Sequence, residues 1–237
     1  MKFAKKAISR TLGRYGLEIR KRRHPLLGLD LESIDSVIDI GANRGQFLSE
    51  ALEMFPNAQF HCFEPLESAM RELIKVQELH CDRQITLHPT ALGNEEGEKS
   101  IHHHNQHDSS SSFLNSTDLS HSLYPQTEAQ REEIVEINRL DGIIDRDSLG
   151  RIFIKMDVQG FEGEVLQGGR ETFLAAHACM LELCIDQLYV SQSSPEDLIA
   201  ALKLHGLFYR GNIRQFLAPD GHVIYADALF LRGDVDE

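Results

Sequence analysis

The chain predicts an α/β fold, a mostly parallel sheet with helices on both faces, and three observations carry that prediction. Strand-like runs at SVIDI (36–40), AQFHCFEP (58–65) and ITLHPTAL (85–92) alternate with two helix-period segments, giving βαβ units. The first run leads directly into a glycine turn, Gly41-Ala42-Asn43-Arg44-Gly45, at the strand end where such sheets bind ligands. A length of 237 residues with 41% apolar content supplies one substantial core and no obvious second one.

Taken in order, residues 3–15 set Phe3, Ala7, Ile8, Leu12 and Tyr15 near one face of a helix, with Lys and Arg around the other. Residues 1–23 hold nine basic side chains and one acid, a charge of +8 that leaves −21 on the rest of a chain whose total is −13. Such a helix suits an anionic lipid surface, or it packs on the domain with its charges outward; the short apolar stripe favours packing. The segment 1–30 is therefore set apart from a domain over 31–237. After Pro25 the pattern changes. Phe47, Leu48, Ala51, Leu52 and Phe55 mark a helix stopped by Pro56, and 66–79 a second helix with Met70, Leu73, Ile74 and Val76 apolar.

Residues 93–130 are polar and rich in Ser and His, with a strand-like EKSIHHHN (98–105) inside; 95–130 reads as an insertion or lid. Alternation returns over 132–144. RIFIKMD (151–157) and ACMLELCI (178–185) are buried-strand runs, with one helix predicted over 161–176 between them. PEDLIAALKLHG (195–206) is a helix closed by Gly206, and LFYRGN, the hairpin signal APDGH (218–222) and ADALFLR (226–232) give the closing strands.

The acidic balance argues against a general nucleic-acid binder, which needs a basic face. Cys62, Cys81, Cys179 and Cys184 lack CxxC spacing and read as thiols without zinc or disulfides. The start has no uninterrupted apolar run of a signal peptide, and no stretch approaches a membrane span. A soluble protein of a reducing cytoplasm is expected, with peripheral contact at the inner membrane surface through residues 1–23 as the alternative. Oligomeric state leaves no mark in the sequence.

At the end of the first strand, Asp39 precedes a turn with Gly41 and Gly45 but no third glycine, so a dinucleotide pyrophosphate is disfavoured. A carboxylate there suits the ammonium group of an amino-acid ligand. Glu64, 23 residues beyond Gly41, ends the second strand where a carboxylate accepts both hydroxyls of a ribose. Together these acids suggest S-adenosylmethionine (SAM) more than NAD. Taken singly, Asp39 also reads as a cap on the following helix and Glu64 as a solvated loop carboxylate.

VIDIGANRGQF (37–47), FEP (63–65), ALGN (91–94) and above all IKMDVQGFEGEVLQGG (154–169) resemble the FkbM-type SAM-dependent methyltransferase family. The resemblance runs in order and spacing from about Ser36 to Arg232. It implies a class I methyltransferase, Rossmann-like, seven-stranded sheet with an antiparallel last strand, and methyl transfer to a hydroxyl of a saccharide, glycan or natural product. It further implies that Asp39, Gly41, Ala42, Asn43 and Gly45 line the methionine end and that Glu64, with Pro65 beside it, holds the ribose. Ala91, Leu92 and Gly93 would lie by the adenine, with Ser110 in the Ser109–Ser111 loop near the cofactor. The family often has Glu where this chain has Gln159, which removes one candidate base.

An alcohol acceptor needs a base within hydrogen-bond reach. Asp157, ending the fourth main strand, is the first choice and Glu182 the second; either is also able to ligate a divalent metal with Glu162 as helper. Asp157 alternatively serves as an acceptor for the turn amides of Gly160 and Phe161, and Glu162 as a first-turn helix acid. His102, His103, His104, His107 and Asp108, with His121 and Tyr124, read as a substrate-contacting insertion in preference to a metal site. The rival readings are an N-methyltransferase or other small-molecule methyltransferase of this fold, and a non-catalytic SAM-binding scaffold at a membrane assembly.

Overall fold

The structure, a computed structural model, describes residues 26–104, 111–123 and 130–233. The basic segment 1–23, and with it the expected membrane contact, lies outside those residues, as do His107, Asp108, Ser109, Ser110 and Tyr124. In chain order the strands are β1 (Ser36–Ile40), β2 (Gln59–Phe63), β3 (Ile85–His88), β4 (Ala91–Leu92), β5 (Gly97–His104), β6 (Gln130–Asn138), β7 (Ile152–Met156), β8 (Ala178–Cys184), β9 (Leu207–Leu217) and β10 (Val223–Arg232). The helices are α1 (Gln46–Met54), α2 (Glu67–Leu79), α3 (Asp118–Leu123), α4 (Leu140–Ile143), α5 (Glu162–Gly168), α6 (Arg170–Ala175) and α7 (Pro195–Leu204).

β1 is buried at every position, as a strand covered on both faces must be. It pairs parallel with β2 on one side and β7 on the other, and the sheet order is β3-β2-β1-β7-β8-β10-β9. β10 runs antiparallel to both β8 and β9, so this is the expected seven-stranded, mostly parallel class I methyltransferase topology with an antiparallel last strand. Leu48, Leu52, Met70 and Leu73 of α1 and α2 cover one face with Phe55 and Phe153, whose ring centroids lie 4.9 Å apart. Val165, Leu166, Phe173, Leu198 and Leu202 of α5, α6 and α7 cover the other. α7 begins where Ser194 accepts the Asp197 amide and Pro195 stands at the first helical position, two signals that need no tertiary support. Among the described residues no helix is long and apolar enough to cross a membrane.

Three expectations change. The run 85–92 is two strands: Pro89 has no amide to donate, and the chain leaves the main sheet at His88 and resumes as β4 in a second, three-stranded sheet ordered β4-β6-β5. The alternation over 132–144 stops at Asn138, where Leu140–Ile143 turns helical. The helix over 161–176 is two short helices meeting at Gly169, because consecutive glycines at 168 and 169 have the weakest hold on a helical backbone after proline. The second sheet pairs β5 antiparallel with β6, from Gly97 opposite Ile137 to His104 opposite Gln130, and seats Ile101, Val135 and Ile137 on Phe161.

Candidate active site at the sheet switch point

Strand order reverses between β1 and β7, and a cleft of about 600 Å³ opens there. Gly41 has φ +75°, and a Cβ on it would stand 2.0 Å from the Asp157 carbonyl oxygen. The turns after β1 and β7 therefore touch backbone to backbone. The Asn43 amide, in a left-handed conformation (φ +48°), donates to Glu64 Oε2 at 2.9 Å, and the Leu66 amide donates to Oε1 at 2.9 Å. Glu64 is 6% exposed, so it is no solvated loop acid; burial pushes its carboxyl up to about 7 against the pull of those amides. Gly41, Ala42, Asn43, Glu64, Pro65, Ala91 and Leu92 all line the cleft.

Gly45 and Gly93 do not line it. Gly45 is the α1 N-cap at φ +84°, and its missing Cβ leaves room for Leu73 and Val76 of α2; Gly93 packs beside Ile137 and Phe161. Asp39 is 1% exposed and lies beneath the turn; it caps no helix, since the α1 N-cap has no side-chain bond. Neither Asp39 oxygen has a hydrogen-bond partner among the described residues, although Lys155 Nζ stands 3.3 Å from Oδ1 and donates to the Gly41 carbonyl at 2.9 Å. Burial raises the Asp39 carboxyl, offset in part by Lys155. Burial pushes Lys155 down, but Asp39, Asp157 and Glu182 outweigh it and hold the ammonium charged. Sequence reading passed over Lys155, although a lysine inside the buried run RIFIKMD demands a charged partner.

Asp157 and Glu182 are brought together by one amide. Gln159, left-handed at φ +55°, donates from Nε2 to Asp157 Oδ1 at 2.7 Å and to Glu182 Oε1 at 3.2 Å, and the Tyr189 hydroxyl donates to its Oε1. Burial pushes Glu182 well above the usual carboxylate range, and Asp157, Glu162 and Asp227 add to the shift. The Gly160 amide goes to Glu162 Oε1 at 3.2 Å and the Phe161 amide to the Val158 carbonyl at 3.4 Å. Of the two turn amides in the alternative reading of Asp157, that of Gly160 thus goes to Glu162 and that of Phe161 to Val158. Glu162 is a first-turn acid of α5, and it is buried, with its carboxyl pushed up to about 7 by burial first and Asp157 next.

Beyond these, the cleft is walled by Ile101, Phe113 and Phe161 at one end, with the Lys99 ammonium 5.2 Å from the Phe161 ring centre. At the other end stand Tyr189, Arg214, Phe216, Tyr225 and Asp227, none of which the sequence singled out as site residues. Asn43 Oδ1 and Ser111 Oγ, both of cleft residues, are buried without a hydrogen-bond partner among the described residues. Buried polar atoms of this kind are normally bonded, so they fit a ligand rich in donors and acceptors such as SAM. Among the described residues no three His, Cys, Asp or Glu side chains are grouped to hold a metal ion. His102 spends its backbone bonds on Ser112, and the side chains of His103 and His104 lie outside the described set.

Comparison with known proteins agrees with this chemistry. A family model described as the methyltransferase FkbM domain matches residues 39–215. The 2-O-methyltransferase NoeI of Sinorhizobium fredii (strain NBRC 101917 / NGR234) is 32% identical over 196 residues, covering 76% of this chain and 78% of that protein. Among solved structures, magnesium protoporphyrin IX methyltransferase from Synechocystis PCC 6803 with bound SAM matches at 13% identity and TM-score 0.49, covering 97% of this chain and 78% of its own. The mitomycin 7-O-methyltransferase MmcR matches at 14% identity and TM-score 0.44, covering 86% of this chain and 50% of its own. The family match opens on Asp39 and closes on Gln215, enclosing Glu64, the Gln159 bridge and the β7 and β8 carboxylates, and the chain belongs to the FkbM family of SAM-dependent methyltransferases.

Proposed function

We propose that this chain transfers a methyl group from SAM to a hydroxyl of a saccharide, glycan or natural-product acceptor. The observation that carries the reading is the Gln159 amide holding Asp157 and Glu182 together on the wall of a cleft whose other half presents Glu64 and the glycine turn. A methyltransferase for an electron-rich carbon or a free amine has less use for a positioned carboxylate pair; an alcohol must lose its proton as the new bond forms. The name of the S. fredii relative, a 2-O-methyltransferase, supports the same atom.

Bound SAM supplies an electrophilic methyl on a sulfonium, so the protein's work is alignment and proton removal. Glu64, fixed by two backbone amides, accepts ribose hydroxyls with the lone pairs those amides leave. Asn43 Oδ1 and Ser111 Oγ meet further polar atoms of the cofactor, and Asp39 with Lys155 sets the charge beneath the turn. Asp157 takes the acceptor's proton. Gln159, held from behind by Tyr189, keeps that carboxylate from rotating away. Glu182, its carboxyl raised by burial and by Asp157, shares the Gln159 amide with that carboxylate.

Calorimetry tests the cofactor. SAM should bind in the micromolar range, roughly −7 to −8 kcal/mol, and Glu64→Ala should weaken it by about 1–3 kcal/mol. Because the ionised carboxylate is the better acceptor and its pKa stands at about 7, SAM should bind roughly tenfold tighter at pH 8 than at pH 6. Glu64→Gln should flatten that slope. Binding of NAD without SAM overturns the reading.

A further inference from the structure

We propose that the cleft face of the β9–β10 hairpin is the acceptor subsite and that it seats a pyranose ring, with Phe216 and Tyr225 against the ring's apolar face and Asp227, Arg214 and Glu50 around its hydroxyl rim. This rests on the O-methyltransferase reading and adds to it the acceptor class and the residues that recognise it.

The register of the hairpin makes the patch. Tyr225 stands opposite Phe216, and Asp227 stands opposite Arg214. Residues two apart on a strand share a face, so the four side chains form a two-by-two array, an aromatic row above an ionic row. All four line the cleft. The two rings are stacked, with centroids 4.2 Å apart and planes at 18°, yet Phe216 remains 39% exposed. Aromatic surface left on the wall of a polar cleft, beside groups able to bond hydroxyls, fits a ligand with one apolar face and a polar edge. A pyranose is such a ligand: its axial C–H bonds make a flat apolar face and its hydroxyls radiate from the rim.

The ionic row favours an acceptor rich in hydroxyls over a flat aromatic one. Arg214 reaches across from β9 to Glu50 of α1, with an N–O distance of 3.0 Å, and Glu50 also lines the cleft. Glu50, Arg214 and Asp227 therefore alternate in sign and offer donors and acceptors together, as neutral hydroxyls require. A planar phenol would satisfy the rings and make no use of this row. The row also points to the chemistry. Asp227 stands opposite Glu182 on β8, one strand spacing of about 4.8 Å away, and Gln159 joins Glu182 to Asp157. A ring seated on the hairpin presents its rim to the candidate base.

The full chain should be assayed with methyl-labelled SAM against a panel of methyl pyranosides and disaccharides, simple phenols and primary amines, with SAM affinity measured in parallel by calorimetry. Label should enter pyranosides. Phe216→Ala should raise KM for the accepted sugar about tenfold, with kcat and SAM affinity within about twofold, and Phe216→Trp should restore KM. Asp227→Asn should raise KM for that sugar as well. The subsite is overturned if Phe216→Ala leaves KM unchanged, if label enters only phenols or amines, or if SAM binds and no sugar is methylated. Absence of SAM binding in the unsubstituted chain overturns the methyl-transfer reading itself, and the subsite with it.

Discussion

The two ends of the cleft are held by different kinds of bond. At the end proposed for SAM, backbone groups do the holding: the amides of Asn43 and Leu66 fix Glu64, the amides of Gly41 and Ala42 both bond the Phe63 carbonyl, and Asp157 N–H bonds the Ile40 carbonyl. At the end proposed for the acceptor, side chains hold side chains: Tyr189 to Gln159, Gln159 to Asp157 and Glu182, Arg214 to Glu50. A backbone-built site keeps its shape under most substitutions nearby, because the bonding groups are present in every residue. A side-chain network changes with each residue in it. The fold thus fixes the shape of one end of the cleft while leaving the other open to redesign.

Substitutions sharpen this contrast, beginning with the largest effect. Asp157→Asn should lower turnover by about 10²–10⁴-fold while SAM affinity stays nearly intact, because the change is confined to a carboxylate held by Gln159. Loss of both together, in a variant that still unfolds cooperatively, would join the two ends into one. Undiminished turnover in that variant, with loss in Glu182→Gln, would move the base to Glu182.

Gly41→Ala should cost about 3 kcal/mol or more of stability, read as a lowered denaturation midpoint, since it combines a positive φ with a Cβ placed against the Asp157 carbonyl. A neutral result would mean that the two turns part easily.

Glu162 tests the base of the acceptor end through pH. Its carboxyl is raised from 4.5 to about 7 in the folded protein, so its contribution is fully present below pH 4.5 and is lost as pH rises through about 7. Unfolding free energy should carry a loss of about 3 kcal/mol across that window. Glu162→Gln, which keeps an oxygen for the Val158 and Gly160 amides, should remove that loss. Parallel pH profiles for the two proteins would contradict the burial.

Tyr189→Phe should have the smallest effect, about three- to tenfold on turnover, by freeing the Gln159 amide. SAM affinity should not move. A change in SAM affinity instead would place Tyr189 at the cofactor end.

The same contrast decides how much could be read in the sequence. β1 matches SVIDI residue for residue, because a short β-branched run flush against a glycine turn fixes both its ends. Glu64 and the turn, which line one cleft, could be paired in the sequence because a single strand–helix–strand unit separates them. Of the end proposed for the acceptor, the sequence marked only Asp157 and Glu182, where it coincides with a motif. Tyr189 lies in an irregular stretch between β8 and α7 with no period to mark it. Arg214, Phe216, Tyr225 and Asp227 become neighbours only through the pairing of β9 with β10, and its register shifts near Val223 and Asp227 cannot be counted along the chain. The second sheet escaped notice for a related reason: β5 and β6 are separated by the polar Ser- and His-rich stretch that conceals them as partners.

The contact between Gly41 and the Asp157 carbonyl has a consequence for precision. Methyl transfer asks that the donor carbon and the base stay in step while the acceptor oxygen closes on one and yields its proton to the other. Here the turn proposed to seat the donor and the turn that bears Asp157, the proposed base, abut through main-chain atoms, with no rotamer between them to absorb error. Thermal displacement of one turn carries the other with it, so their separation fluctuates less than either position does. The spacing is a property of the scaffold, and only the acceptor has to find its place.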